Sequence, residues 1–207
     1  IGVLGTNGSG KSTLLKIMAG IDKEIEGEAI PMAGLKIGYL PQDVRLLHGT
    51  LRDNLTLGIS PQNDSALLDA AKKTGLDRVI RTHPQGMELP IQEGGRGLSG
   101  GQRQRASVAR ALSVQPKVLV ADEPTSAIDQ SAQSQLLELF NELIKDGLSI
   151  VLVSHDLGVI RYLADNVYVM QNGVFVENGS ASDIFQNPTN EYTRKLISSI
   201  PGHKLNS

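Results

Sequence analysis

Eight residues near the start of the chain restrict its fold more than any other stretch. A short apolar run, Ile1-Gly2-Val3-Leu4, leads directly into Gly5-Thr6-Asn7-Gly8-Ser9-Gly10-Lys11-Ser12. Ser12-Thr13-Leu14-Leu15-Lys16-Ile17-Met18-Ala19-Gly20 then carries a helical pattern. The glycines, lysine and hydroxyl fall at the spacing G-x-x-x-x-G-K-[ST], between an expected strand and an expected helix. Glycines at 5, 8 and 10 let the backbone bend tightly enough for its N–H groups to converge on phosphate oxygens, and the helix behind them adds the positive end of its dipole. Lys11 then reaches the β- and γ-phosphates, and the Ser12 hydroxyl is placed for Mg²⁺. A glycine-rich surface turn would account for the glycines alone, but not for the strand, lysine and helix around them. The chain begins inside the strand that such a loop follows, so earlier strands of the sheet are expected to be missing from it.

Composition removes several classes of function. With 207 residues the chain has room for one large domain or two small lobes sharing a core. A formal charge of −2 gives no bulk attraction to nucleic acid or anionic lipid, and nucleic acid is not an expected partner. Aromatic residues make up 3% with no Trp, which weakens the case for a platform that stacks single-stranded bases. There is no cysteine, which excludes disulfides, thiol chemistry and Cys-zinc sites and fits a reducing compartment. The longest apolar runs, such as Ile150-Val151-Leu152-Val153, fall far short of a membrane span, and no stretch reads as a signal peptide. Work at a membrane would need another chain or a removed segment to do the spanning.

Along the chain, Gly27-Glu28-Ala29-Ile30 and Leu35-Lys36-Ile37-Gly38-Tyr39-Leu40 read as short strands separated by Pro31 and Gly34, and Pro41-Gln42-Asp43 ends the second. From Thr50 to about Leu112 the helical period dominates, clearest over residues 65–73, with Asp64 as the expected cap. The glycine-rich turn 94–101 runs into a helical segment over 102–112, which predicts a second helix N-terminus suited to anions. Alternation then returns. Lys117-Val118-Leu119-Val120-Ala121 is a buried strand closed by Asp122-Glu123, residues 132–144 form an amphipathic helix, and residues 148–153 form another buried strand closed by Ser154-His155-Asp156. Repeated strand–helix–strand units imply a parallel sheet. Residues 167–171 and 174–177 flank Asn172-Gly173 as a hairpin, and a polar tail with two helical stretches follows. The expected organisation is an α/β core over 1–49 and 113–178, a helical subdomain over 50–112, and a C-terminal helical tail over 179–207.

Gln42, Asp122, Glu123 and His155 all fall at the carboxyl ends of expected strands, the edge where open α/β sheets bind ligands. Asp122, after its apolar run, has the place of a Walker B aspartate that holds Mg²⁺, and Glu123 stands where a base can orient water. Singly, each has a plain reading: a solvated strand end, a surface amide, a structural histidine. Beside a phosphate loop, the group becomes a nucleotide site.

Together these residues resemble the nucleotide-binding domain of ABC transporters (ATP-binding cassettes), over residues 1 to about 200. Leu98-Ser99-Gly100-Gly101-Gln102 matches the LSGGQ signature in full. Gln42 is similar to the Q-loop glutamine, Ser126-Ala127-Ile128-Asp129 to the D-loop with Ile for the usual Leu, and His155 to the switch histidine. The resemblance implies an α/β fold of the P-loop NTPase (RecA-like) kind, with a mostly parallel sheet and an inserted helical subdomain. It implies ATP and Mg²⁺ as ligands. Gly5, Thr6, Asn7, Gly8, Ser9, Gly10, Lys11, Ser12 and Thr13 would bind the nucleotide, and Ser12, Gln42 and Asp122 would serve the metal. Glu123, His155, Lys11 and Gln42 would be catalytic, while Ser99, Gly100, Gly101, Gln102 and Asp129 would also bind nucleotide, the signature of one copy closing over the ATP of the other in a head-to-tail dimer. A transmembrane permease partner and a place at the cytoplasmic face of the membrane follow from the same resemblance.

Subfamily signals divide along the chain. Pro41 to Val44, Leu47 to Asn54 and His83 to Leu98, including Glu93, are similar to type I secretion exporters. Val120 to Pro124, Ser154 to Ile160 and Asn187 to Arg194 are similar to oligopeptide importer ATPases. Such a mosaic fits a divergent natural protein or a recombined or designed one. In the family an aromatic residue upstream of the phosphate loop stacks on adenine, and no residue here takes that place. The expected function is an ATP-hydrolysing transporter subunit or domain with a peptide or protein cargo. The alternatives are a soluble ABC ATPase of DNA repair or translation, which would need a coiled-coil insertion or a tandem cassette, and a catalytically weak truncated or designed fragment that only binds nucleotide.

Overall fold

A computed structural model describes residues 1–23, 25–27, 35–57, 64–126 and 128–199. In chain order its elements are β1 (Gly2–Leu4), α1 (Lys11–Met18), β2 (Ile37–Leu40), β3 (Gly49–Thr50), α2 (Leu51–Thr56), α3 (Asp64–Lys73), α4 (Asp77–Thr82), β4 (Pro90–Ile91), α5 (Gly100–Ser113), β5 (Val118–Asp122), α6 (Gln130–Lys145), β6 (Ser149–Val153), α7 (Leu157–Leu163), β7 (Asn166–Gln171), β8 (Val174–Ser180), α8 (Ala181–Gln186) and α9 (Glu191–Ser198). The strand expected over 27–30 extends outside the described residues. Among the described residues no helix is long and apolar enough to cross a membrane. The chain divides into two compact units, the first made of Ile1–Ala33, Val120–Thr125 and Ser149–Ser207, the second of Gly34–Leu119 and Ser126–Leu148.

In the first unit, the end of β5 is followed in the sheet by β6, β1, β7 and β8. β1 pairs in parallel with β6 (Gly2↔Leu152) and with β7 (Gly2↔Val167, Leu4↔Val169). Its neighbours read as continuous apolar runs because a parallel strand is covered on both faces, and Val3, Leu4, Val120, Ala121, Leu152, Val153, Val167 and Val169 are all buried. Gly2 allows α7 to lie close, since a Cβ there would stand 2.6 Å from Ile160 Cγ2. β7 and β8 form the expected hairpin, antiparallel from Gln171↔Val174 outward, with Asn172 at φ 50° and Gly173 at φ 82°. Two left-handed residues in the turn are what a two-residue hairpin of this twist requires.

In the second unit, β2 lies in the sheet beside β5, whose Val118 and Leu119 belong here. α5 packs against α2 and α3, burying Leu51, Leu55, Leu67, Ala71, Ala106, Val108 and Ala109. α6 buries Leu136, Phe140 and Leu143, a stripe at the spacing of one helix face. The helical region also contains a small antiparallel pair, β3 with β4 (Gly49↔Ile91, Thr50↔Pro90), that the helical period did not foretell. Asp64 is the first residue of α3 rather than the residue before it, and its carboxylate meets the Arg52 guanidinium at 2.7 Å. The cap found nearby is Thr50, which forms a capping box with Asp53 at the start of α2.

A buried polar hub organises this unit. Asn54 is 1% exposed. Its Oδ1 accepts from the Leu47 N–H at 2.8 Å, and its Nδ2 donates to the Leu47 and Thr50 carbonyls at 2.9 and 3.0 Å. Arg110 of α5 donates to the Asn54 carbonyl at 2.7 Å, to Asn54 Oδ1 at 3.1 Å and to the Arg45 carbonyl at 3.1 Å. Burial lowers the Arg110 pKa from its ordinary value; the guanidinium stays charged there because carbonyl oxygens replace water around it. α5 and the segment after Gln42 are thereby joined.

Candidate phosphate-binding site

The loop from Gly5 to Thr13 has the shape its glycines foretell. Gly5, Gly8 and Gly10 stand at φ 156°, 81° and 98°. A Cβ on Gly5 would meet the Met170 carbonyl oxygen at 2.3 Å, so only glycine lets the loop lie against the end of β7. The Ser9 N–H donates to the Thr6 carbonyl at 3.2 Å, and the Gly173 N–H donates to the Ser9 carbonyl at 3.0 Å, tying the loop to the hairpin turn. α1 begins at Lys11 with no side-chain cap and no acidic residue in its first turn, which leaves its dipole end to an anion.

Lys11 is the centre of this arrangement. It is buried, and its ammonium donates to the Gly5 and Thr6 carbonyls at 2.9 Å each and reaches Ser9 Oγ at 3.5 Å. These acceptors are neutral oxygens. A buried cation whose hydrogen bonds all go to neutral oxygens, on a bent loop of backbone amides, fits an anionic ligand that can take those bonds over.

Residues far apart in sequence meet beside it. Ser12 Oγ donates to Asp122 Oδ1 at 3.0 Å. Asp122 is buried; burial pushes its carboxyl above the ordinary range, the Ser12 hydrogen bond pulls it down, and the Glu123 charge adds to the rise. A divalent cation would reverse that balance. Among the described residues no three acidic or histidine side chains are grouped to hold a metal, but Mg²⁺ commonly takes one or two protein oxygens and completes its shell with phosphates and water. A hydroxyl and a carboxylate oxygen 3.0 Å apart fit that pattern.

Glu123 and His155 also converge: Oε2 of the carboxylate contacts Nδ1 of the imidazole. The Glu123 side chain is 10% exposed and that of His155 61%, so the histidine presents the pair to solvent. The Glu123 N–H donates to the Val153 carbonyl at 2.9 Å. Thr6, Asn7 and Thr13 are exposed and Ser9 is buried.

The remaining candidates belong to the second unit. Gln42 is exposed, two residues beyond the end of β2. Ser99 caps α5, its Oγ accepting from the Gln102 N–H at 3.2 Å while Gln102 Oε1 accepts from the Ser99 N–H at 2.8 Å. This box fixes the helix start and leaves Ser99 and Gly100 on the surface, with Gly101 half-buried. Asp129 caps α6 by accepting from the Ala132 N–H at 2.9 Å. Glu93 is exposed in a single 3₁₀ turn.

Sequence reading assigned nothing to Tyr192, yet its hydroxyl touches Thr6 in the loop, at 2.9 Å from the backbone N and 3.1 Å from Oγ1. The local signal was its place in the Asn187 to Arg194 stretch that is similar to oligopeptide importer ATPases, two residues after Asn190, which itself caps α9.

Residues 1–126 match the protein family described as ABC transporter. The chain is 35% identical to the oligopeptide transport ATP-binding protein OppF of Lactococcus lactis, over 97% of this chain and 68% of that protein. It is 34% identical to the glutamate transport ATP-binding protein GluA of Corynebacterium efficiens, over 97% of this chain and 87% of that one. Among solved structures, a bacterial Atm1-family ABC exporter with ATP bound superposes with a TM-score of 0.77 at 26% identity, covering 95% of this chain and 36% of the exporter's.

Proposed function

Because the chain belongs to the ABC transporter family, and is an ATP-binding transport ATPase of α/β fold, we propose that its reaction centre is built from Lys11, Ser12, Asp122, Glu123 and His155. The observation that carries this reading is the meeting of Ser12 with Asp122 across 110 residues of sequence, directly beside the buried Lys11. Lys11 and the loop amides bind the β- and γ-phosphates. Ser12 and Asp122 hold Mg²⁺, which offsets phosphate charge when bound, and the family resemblance adds Gln42 to its ligands.

Glu123 accepts a proton from water as the water oxygen bonds to the γ-phosphorus. The bond from that phosphorus to the bridging oxygen breaks, and ADP leaves with the electron pair. His155 keeps the Glu123 carboxylate oriented and contacts the γ-phosphate. Most of this work is electrostatic positioning, since a phosphoryl group in transfer needs little covalent help.

Ser99, Gly100, Gly101, Gln102 and Asp129 act in a dimer of two copies. Ser99 and Gly100 lie exposed at a helix start, where a partner's phosphates can reach them. A membrane-spanning permease at the cytoplasmic face is the second partner, and a peptide or protein is the cargo; the 35% identity to an oligopeptide transport protein supports that class. Calorimetry with Mg-ATP tests the centre. Lys11→Ala removes the side chain that carries full positive charge in the loop and should abolish binding at sub-millimolar nucleotide. Unchanged affinity would sink the assignment.

A further inference from the structure

The C-terminal helix reaches the phosphate loop through one side chain. Tyr192, in the first turn of α9, accepts a hydrogen bond from the Thr6 N–H at 2.9 Å and donates its hydroxyl hydrogen to Thr6 Oγ1 at 3.1 Å. Thr6 matters to the loop because its carbonyl accepts from the Lys11 ammonium at 2.9 Å and from the Ser9 N–H at 3.2 Å. The phenol therefore holds the residue on which both the lysine and the turn depend. On the far side, Gly173 holds Ser9, so the loop is gripped at both ends of its bend.

The grip has a firm base. Asn190 caps α9 through the Tyr192 N–H at 2.8 Å. Arg194 donates to the Pro188 and Thr189 carbonyls at 3.0 and 2.6 Å, and Ile197 is fully buried. A side chain on so fixed a support loses little freedom when it forms a hydrogen bond, and a loop fixed beforehand loses less when it binds a ligand.

We propose that Tyr192 is a positioning residue of the phosphate loop. It presets Thr6, and through it Lys11 and the following amides, for the phosphates of the nucleotide, so that nucleotide affinity depends on the docked state of the C-terminal helix. Linkage makes the effect reciprocal: bound nucleotide strengthens the docking of α9. The inference rests on the reading of the loop as the ATP site.

The test is Mg-ATP titration calorimetry of the wild type, Tyr192→Phe, Thr6→Val and the double variant, each with a thermal melt without nucleotide. Tyr192→Phe keeps the ring and removes both hydrogen bonds; its dissociation constant should rise about 3- to 10-fold. Thr6→Val keeps the shape of threonine and the 2.9 Å backbone bond, so its loss should be smaller. The double variant should bind no more weakly than Tyr192→Phe, because the second change removes a group whose partner is already gone. A lowered melting point with unchanged affinity would mean a merely structural tyrosine and overturns the proposal, as do losses that add in the double variant. Wild-type protein that fails to bind Mg-ATP overturns the ATP reading and this inference with it. Wild-type binding with an unaffected Tyr192→Phe overturns this inference alone.

Discussion

Glu177 on β8 fastens the segment that carries Tyr192, and its removal has a calculable effect. One carboxylate oxygen accepts from the Thr189 N–H at 2.7 Å and the Thr189 hydroxyl at 2.8 Å; the other accepts from the Asn190 N–H at 3.2 Å. Burial pushes this carboxyl up, but the donors that face it from the 189–193 segment outweigh it and hold the pKa below its ordinary value. Glu177→Gln keeps the length and one acceptor, removes the charge, and sets an NH₂ group against the Asn190 N–H. A hydrogen bond to a charged group contributes about 1.5–3 kcal/mol, against about 0.5–1.5 for a neutral one, and partial exposure screens the difference. The expected loss is about 1–2 kcal/mol near neutral pH, or about 2–8 °C in melting temperature for a chain of this length. The stabilisation comes from a carboxyl whose folded pKa lies below its unfolded value. It is complete above the unfolded pKa of about 4.3 and is lost as pH falls through the folded pKa. Urea unfolding of both proteins from about pH 7 down to about pH 3 should therefore show a gap that is widest near neutrality and narrows in acid. A gap of constant size across that range, or none at neutrality, would refute the charge-based account.

Three further outcomes are expected. Glu123→Gln, which keeps size but removes the basic carboxylate, should slow hydrolysis about 10²- to 10⁴-fold while Mg-ATP binding persists in calorimetry; hydrolysis at the wild-type rate would remove Glu123 from the base role. That same variant should accumulate as an ATP-bound dimer in light scattering, and adding Ser99→Arg should return it to monomer, since the arginine fills the space meant for the partner's phosphates; a dimer that persists would argue against the shared site. Asn54→Ala should cost about 2–4 kcal/mol in urea unfolding, because it leaves the Leu47 N–H and carbonyl, the Thr50 carbonyl and the Arg110 guanidinium each short of a partner.

What could be read from the sequence follows the range of the interactions involved. The phosphate loop was legible because its chemistry needs glycines, a lysine and a hydroxyl within a dozen residues, and β5 and β6 were legible because a strand buried on both faces is an unbroken apolar run. The Asn172-Gly173 hairpin was legible for a similar reason, its turn being chemically specified by two residues. β3 and β4 escaped because two-residue strands are too short to show a period, and they pair Gly49 with Ile91 across α2, α3 and α4. The Asp64 assignment failed because a capping residue and a first-turn acid look alike in sequence, and the Arg52 contact that draws on Asp64 lies twelve residues away. Tyr192 and Thr6 are separated by 186 residues, and neither carries a local sign of the other.

Backbone conformation at Glu123 is the part of the site furthest from sequence reading. Its φ of 45° places a non-glycine residue in the left-handed region, where the Cβ crowds its own carbonyl at a cost on the order of 1–2 kcal/mol. The Val153 carbonyl holds the Glu123 N–H at 2.9 Å, so the sheet fixes the residue in that state. Glycine at 123 would relieve the crowding, but it would also delete the carboxylate that follows Asp122 and contacts His155. The same left-handed conformation occurs at Leu57, Gln115 and Asn172, so the strain fixes where the Glu123 carboxylate stands beside Asp122 and His155, and the loss of hydrolysis expected for Glu123→Gln is what tests its role as the base.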